Sequence, residues 1–153
     1  MTKTKLPRGL RNNNPLNIRH SASRWQGVRV EQTDKSFVQF TSMAMGYRAA
    51  WRILETYYKH FETEHRPFTP RNIIYRWAPP EENDSEAYLR SICRLTTLAG
   101  NAPLPRPSRI LTSEDKEKLI SFIAAMTCVE NGITMKEVDR GAIEEGLDLV
   151  RSE

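Results

Sequence analysis

The chain has 153 residues, 39% of them hydrophobic and 27% charged. That length fits one domain, the composition is too apolar for a disordered polymer, and no run of about 18 apolar residues is available to span a membrane. Lys and Arg number 23 against 19 Asp and Glu, and the resulting +4 mildly favours an anionic partner such as a wall polymer, nucleic acid or acidic lipid.

Met1 to Leu6 carry charge with no apolar segment behind them, so no secretory signal is expected and synthesis is cytoplasmic. Residues 1–24 are polar, basic and Asn-rich without a clean period, and read as an ordered loop with at most a short strand. Val28 and Val30 alternate with polar residues, Phe37 to Phe40 repeats the pattern, and Gln32-Thr-Asp-Lys35 lies between them. This predicts a β-hairpin over 28–40. From Ser42 the period lengthens, and Met45, Ala49, Ile53 and Tyr57 at four-residue spacing predict a long helix to about Phe61.

Thr69-Pro70 reads as an N-cap followed by proline in the first turn, opening a short helix through Arg76 that Trp77-Ala-Pro-Pro80 closes. Asp84 or Ser85 caps the next helix, whose apolar side is Tyr88, Leu89, Ile92, Cys93 and Leu95. Gly100 to Pro107, with three prolines, is a surface crossover. Thr112-Ser-Glu-Asp115 caps the strongest helix of the chain, Lys116 to Val129. Thr134-Met-Lys-Glu137 has the form of a capping box for a last helix, which Gly141 and Gly146 are expected to break into two pieces. The expected class is mainly α (α+β), with five or six helices and one small hairpin near the N-terminus. It forms a single domain over 1–153, loop and hairpin to residue 41 and helical from 42.

Cys93 and Cys128 sit at apolar helical positions with no metal-type spacing and are expected as packed free thiols. His20, His60 and His65 share no ligand spacing either, so neither a metal nor another cofactor is expected. The basic N-terminus lacks the interleaved aromatics of a nucleic-acid surface, and no nucleic-acid partner is expected.

Arg8-Gly-Leu-Arg-Asn-Asn-Asn-Pro-Leu-Asn-Ile-Arg19, Trp25-Gln-Gly27, Phe37-Val-Gln-Phe40, Gly46-Tyr-Arg-Ala49 and Ile73-Ile-Tyr-Arg-Trp-Ala-Pro-Pro80, then Glu82-Asn83 and Tyr88, follow one another in order. This series resembles a family of phage and prophage proteins commonly labelled virion or structural proteins, strongly over residues 8–95. The family usually has glycine where this chain has Leu16, which bears on the turn there. Asn13 to Arg19, the 28–40 segment and the following helix are also similar, in order and spacing, to bacterial glucosaminidases that cut peptidoglycan. That likeness implies a lysozyme-like domain whose substrate is peptidoglycan or a related amino-sugar polymer. In those enzymes the catalytic Glu precedes the Asn segment, ending a helix that reads like Ala-x-x-Glu-Ser-Gly. Here no acid precedes Asn12.

Glycoside cleavage needs a carboxyl that donates a proton to the leaving oxygen. Glu130 is the leading candidate: steps of four, three and four from Leu119 through Ile123 and Met126 put it on the apolar face of its helix. Ala125-Met-Thr-Cys-Val-Glu-Asn-Gly132 also resembles the catalytic helix end of the glucosaminidases, which implies a circular permutation with that helix placed late in the chain. An ordinary solvated Glu, in a last turn where the helix dipole disfavours it, is the competing reading. Glu82 is the runner-up acid. Glu31 and Asp34 are available as a second carboxylate, although Asp34 also suits a turn.

Asn12, Asn13, Asn14 and Asn17 offer amides suited to N-acetyl and hydroxyl groups, and equally suit loop-making. Arg19, Trp25, Trp77 and Asn83 complete the candidate sugar contacts, with Arg11 and Arg19 free to meet carboxylates of the wall. Trp77 serves as well as a buried lock on a proline corner and Asn83 as a cap. Tyr75 and Tyr88 read as core or rim. Two functions stand against each other: a peptidoglycan glycosidase of muramidase, glucosaminidase or lytic-transglycosylase type, and a non-catalytic virion or wall-binding protein. Delivery by a phage tail, a holin or a secretion system, or incorporation in a virion, follows from either.

Overall fold

A computed structural model describes residues 6–153; residues 1–5, within the segment read above for a secretion signal, lie outside them. Six α-helices carry the fold, and almost no strand is present among the described residues. The first, α1 (Arg8–Arg11), is a single turn inside the stretch expected as loop. The next four begin where short polar side chains satisfy the free N–H groups of a first turn. Ser42 accepts from Met45 N at 3.2 Å to open α2 (Met43–Thr63). Thr69 accepts from Asn72 N at 3.2 Å, with Pro70 in the first turn, to open α3 (Pro70–Trp77). Asp84 caps α4 (Ser85–Leu95) through Ala87 N at 3.0 Å, and Thr112 caps α5 (Ser113–Asn131) through Asp115 N at 3.0 Å. Gly132 ends α5 in the left-handed conformation, φ 64°, which releases the chain without a Cβ penalty.

The expected hairpin is not formed. Arg19 pairs with Phe37 and Val28 with Phe40, each as an isolated bridge, so 37–40 runs between two short stretches instead of folding against one. Side-chain amides displace the ladder. Gln39 N donates to the Gln32 side chain at 2.8 Å, and Gln32 Nε2 donates back to Gln39 O at 2.8 Å. Gln39 Oε1 accepts from Thr33 N at 2.6 Å, while Asp34 Oδ1 accepts from Ser36 N at 2.9 Å and Phe37 N at 3.0 Å. Val28 and Val30 are exposed, so their alternation faces no core.

The chain end differs as well. Glu137 accepts from Thr134 N at 3.3 Å as the capping pattern requires, but the turn so opened is a short 3-10 turn, Met135–Glu137. The last helix, α6 (Arg140–Arg151), starts at Asp139 and runs unbroken through both glycines. Gly146 is there for contact. A Cβ on it would lie 2.8 Å from Arg48 N and 2.9 Å from Ala44 O, so its absence lets α6 lie directly on the backbone of α2.

Around that pair the core closes on α5, whose Leu119, Ile120 and every residue from Phe122 to Cys128 are buried. It packs against α1, α4, α6 and the 3-10 turn. Trp51 of α2, fully buried, donates its indole N–H to Ile143 O of α6 at 3.0 Å. The crossover 100–107 is tied down by Glu55, which accepts from Arg106 at 2.8 Å and from Ser108 N at 3.2 Å. Cys93 and Cys128 are free thiols, the second buried. No described helix is long and apolar enough to cross a membrane.

Candidate active site

The last turn of α5 emerges from the core at the floor of an open cleft of about 330 Å³. Glu130 lines it, together with Asn17 and Arg19 from the Asn-rich loop, Trp77 from the end of α3, and Glu82 and Asn83 from the turn that follows. Asn17 donates to Glu130 Oε1 at 3.1 Å and reaches the Glu130 main-chain oxygen at 3.3 Å. Glu130 Oε2 accepts from the Tyr88 hydroxyl at 2.9 Å and, at the longer distance of 3.4 Å, from the Trp77 indole. All three donors are uncharged, and among the described residues no cation pairs with Glu130. Burial, reinforced by the facing carboxylate, holds the Tyr88 hydroxyl well above its ordinary range, so it stays a proton donor at neutral pH.

The loop is fastened to α5 by the next residue. Asn131 donates to Pro15 O at 2.7 Å and to Thr127 O at 3.0 Å. Asn13 and Asn17 adopt positive φ, 51° and 54°, a conformation asparagine tolerates better than most residues. Gly46 lets the loop rest on α2, because a Cβ there would run into Asn13 O. Leu16, expected from the sequence to bear on the turn there, is buried and adopts no positive φ.

The four asparagines divide. Asn17 alone reaches the cleft. Asn14 is fully buried, and its amide is used up by Ile18 N, Ile18 O and Val38 O, each at 2.9 Å. Asn12 is buried between Asp34, 3.0 Å, and Gln39, 3.1 Å. Asn13 donates to Phe40 O at 3.3 Å. These three are loop-makers. Arg19 lies over Phe37, its guanidinium 5.3 Å from the ring centroid, and Phe37 is itself part of the cleft wall. Trp25 does not line this cleft but a neighbouring groove.

Glu82 is exposed in the turn after the prolines, and Asn83 donates to Pro79 O at 3.4 Å while Asp84 caps α4. Neither Glu31 nor Asp34 lines the cleft. Asp34 is held by Arg8 through two 2.7 Å bonds, which with Asn12 and two backbone N–H groups keep its carboxyl far below the usual range. Arg11 stands apart too, its carbonyl accepting from Arg29 at 2.8 Å. Tyr88, read from the sequence only as core or rim, is a direct Glu130 partner. The available signal was that a tyrosine on an apolar helix face needs somewhere to place its hydroxyl. Among the described residues no three His, Cys, Asp or Glu side chains cluster as a metal site requires.

No protein-family model matches the chain. It is similar to Protein P5 of Pseudoalteromonas phage PM2, 36% identical over 140 residues that cover 88% of this chain and 79% of that protein. At that identity and coverage, the chain belongs to the family of this phage protein.

Proposed function

We propose that the chain is a peptidoglycan-cleaving glycosidase of muramidase, glucosaminidase or lytic-transglycosylase type, a permuted lysozyme-like domain with Glu130 as its single general acid. One observation carries the reading: the Glu130 carboxyl sits in a cleft, fixed by Asn17, Trp77 and Tyr88 and, among the described residues, by no cation. A group that gives a proton and takes one back works best without a fixed counter-charge, and the Tyr88 hydroxyl can turn from donor to acceptor as that proton moves. Glu82, exposed in a turn, lacks any such support.

The proton on Glu130 passes to the glycosidic oxygen as the C1–O bond breaks, leaving positive charge on the ring. The sugar's own 6-hydroxyl, or a water, then attacks C1 and returns its proton to Glu130. One carboxyl suffices for the first route. Asn17, Arg19, Trp77 and Asn83 supply amide, cationic and aromatic surface for the sugars.

Digestion of purified sacculi, followed by mass analysis of released fragments, tests this. Glu130→Gln should lose at least about 100-fold in rate, as removal of a general acid does, and Glu82→Gln should keep most of it. Equal digestion by wild type and Glu130→Gln overturns the assignment. A second reading, a non-catalytic wall-binding or virion component, is favoured by the engagement of both Glu130 oxygens within the protein. It predicts binding to sacculi with no product from any variant. Membership of a phage protein family suits delivery by a virion or a lysis system under either reading.

A further inference from the structure

The cleft does not end at Arg19. A second groove of about 450 Å³ shares Ile18, Arg19 and Ile53 with it, and continues along α2 beneath Trp25. Helical spacing explains the handover. Ile53 and Tyr57, four apart, line the Glu130 cleft, whereas Arg52, Thr56 and Lys59 form the adjoining face and line the groove.

The two spaces differ in charge. Arg19, Arg52 and Lys59 border the groove, and among the described residues that line it Glu55 is the one carboxylate. Glu55 is already taken by Arg106 and by Ser108 N. Arg52 is paired with Glu153 at 2.6 Å. Arg19 and Lys59 have no carboxylate partner among the described residues. Ser21 and Ser23 add hydroxyls, and the buried Trp25 indole N–H has no partner among the described residues.

We infer that this groove receives the anionic peptide stem of peptidoglycan while the glycan lies in the Glu130 cleft, an inference that rests on the function proposed above. The shared residues mean that an occupant of the groove is most simply carried by the molecule in the cleft. Of that polymer's parts the peptide stem bears the free carboxylates to meet two uncompensated cations, because the lactyl carboxyl of the muramyl sugar is itself consumed in the amide bond to the stem; the stem's amide groups match the serine hydroxyls.

The test is calorimetric titration of the protein with a reduced disaccharide whose lactyl carboxyl is capped as the simple amide, the same disaccharide carrying its tetrapeptide, and a version with the stem carboxylates amidated. Wild type should bind the tetrapeptide form about tenfold tighter than the disaccharide, with the margin lost on amidation and shrinking as salt is raised. Lys59→Glu, at an exposed position, should erase the margin and leave disaccharide affinity unchanged. A margin that survives Lys59→Glu, or equal affinity for the two ligands in wild type, overturns the inference and leaves the glycan reading standing. Failure of both ligands to bind overturns both.

Discussion

Replacing Asn14 with alanine removes a fully buried amide that joins the two sides of the Asn-rich loop. Three bonds of 2.9 Å disappear: one accepted from Ile18 N and two donated, to Ile18 O and Val38 O. Ile18 O keeps a partner in Val38 N at 3.0 Å, but Ile18 N and Val38 O are left without one. A buried polar group stripped of its partner costs about 1–3 kcal/mol. Two such groups span about 2–6 kcal/mol, and some water entry puts the loss in the lower half, at about 3 kcal/mol. For a chain of this size that corresponds to a drop in Tm of roughly 6–12 °C. Urea denaturation followed by circular dichroism should show a lower midpoint at unchanged slope, and Asn14→Asp should do no better, since a carboxylate cannot donate to two carbonyls. A loss below about 1 kcal/mol would refute the reasoning, because it would mean that the loop does not depend on this amide.

Gly146→Ala should destabilise by about 1–3 kcal/mol although alanine is the better helix former, because the new methyl meets Arg48 N and Ala44 O inside contact distance; thermal melting decides, and a gain in Tm would show that α2 and α6 part easily. Asp34 gives a pH-dependent signature. Its folded carboxyl is depressed mainly by Arg8, so the stability it lends is complete above the ordinary carboxylate pKa and declines as the pH falls below it. Asp34→Asn should therefore lower stability at pH 7 and flatten its fall between about pH 4 and pH 2, measured as urea midpoints across that range.

The starts of α2 to α5 could be read from the sequence because the interactions that make them are local. Ser42, Thr69, Asp84 and Thr112 each bond a backbone N–H three residues on, and nothing distant has to agree. The 28–40 segment failed for the opposite reason. Alternation describes a ladder of backbone bonds, and here Gln32 and Gln39 use side-chain amides in its place. Gly146 was likewise read as a breaker, when its role is fixed by a helix nearly one hundred positions earlier in the chain.

The site divides the same way. Four asparagines of identical chemistry stand within six positions, and only the completed fold separates Asn14, spent on the backbone, from Asn17, turned to Glu130. Helical phase placed Glu130 on the buried face, but the partners that surround it come from α3, α4 and the loop, and no spacing rule links those elements.

Asn131 and its bond to Pro15 have a consequence for how the cleft behaves in time. Residues 116 positions apart are joined there, and the joint lies one residue from Glu130 and two from Asn17. The floor of the cleft is the last turn of the most buried helix, and its rim is stapled to that turn. Such a cleft is tied across its floor: it forms when the Asn-rich loop meets the end of α5, and the loop leaves only when that contact breaks. Amide hydrogens of the loop and of the α5 C-terminus should thus share one protection, that of the whole molecule, so that a ligand meets a rigid seat whose entropy was settled during folding.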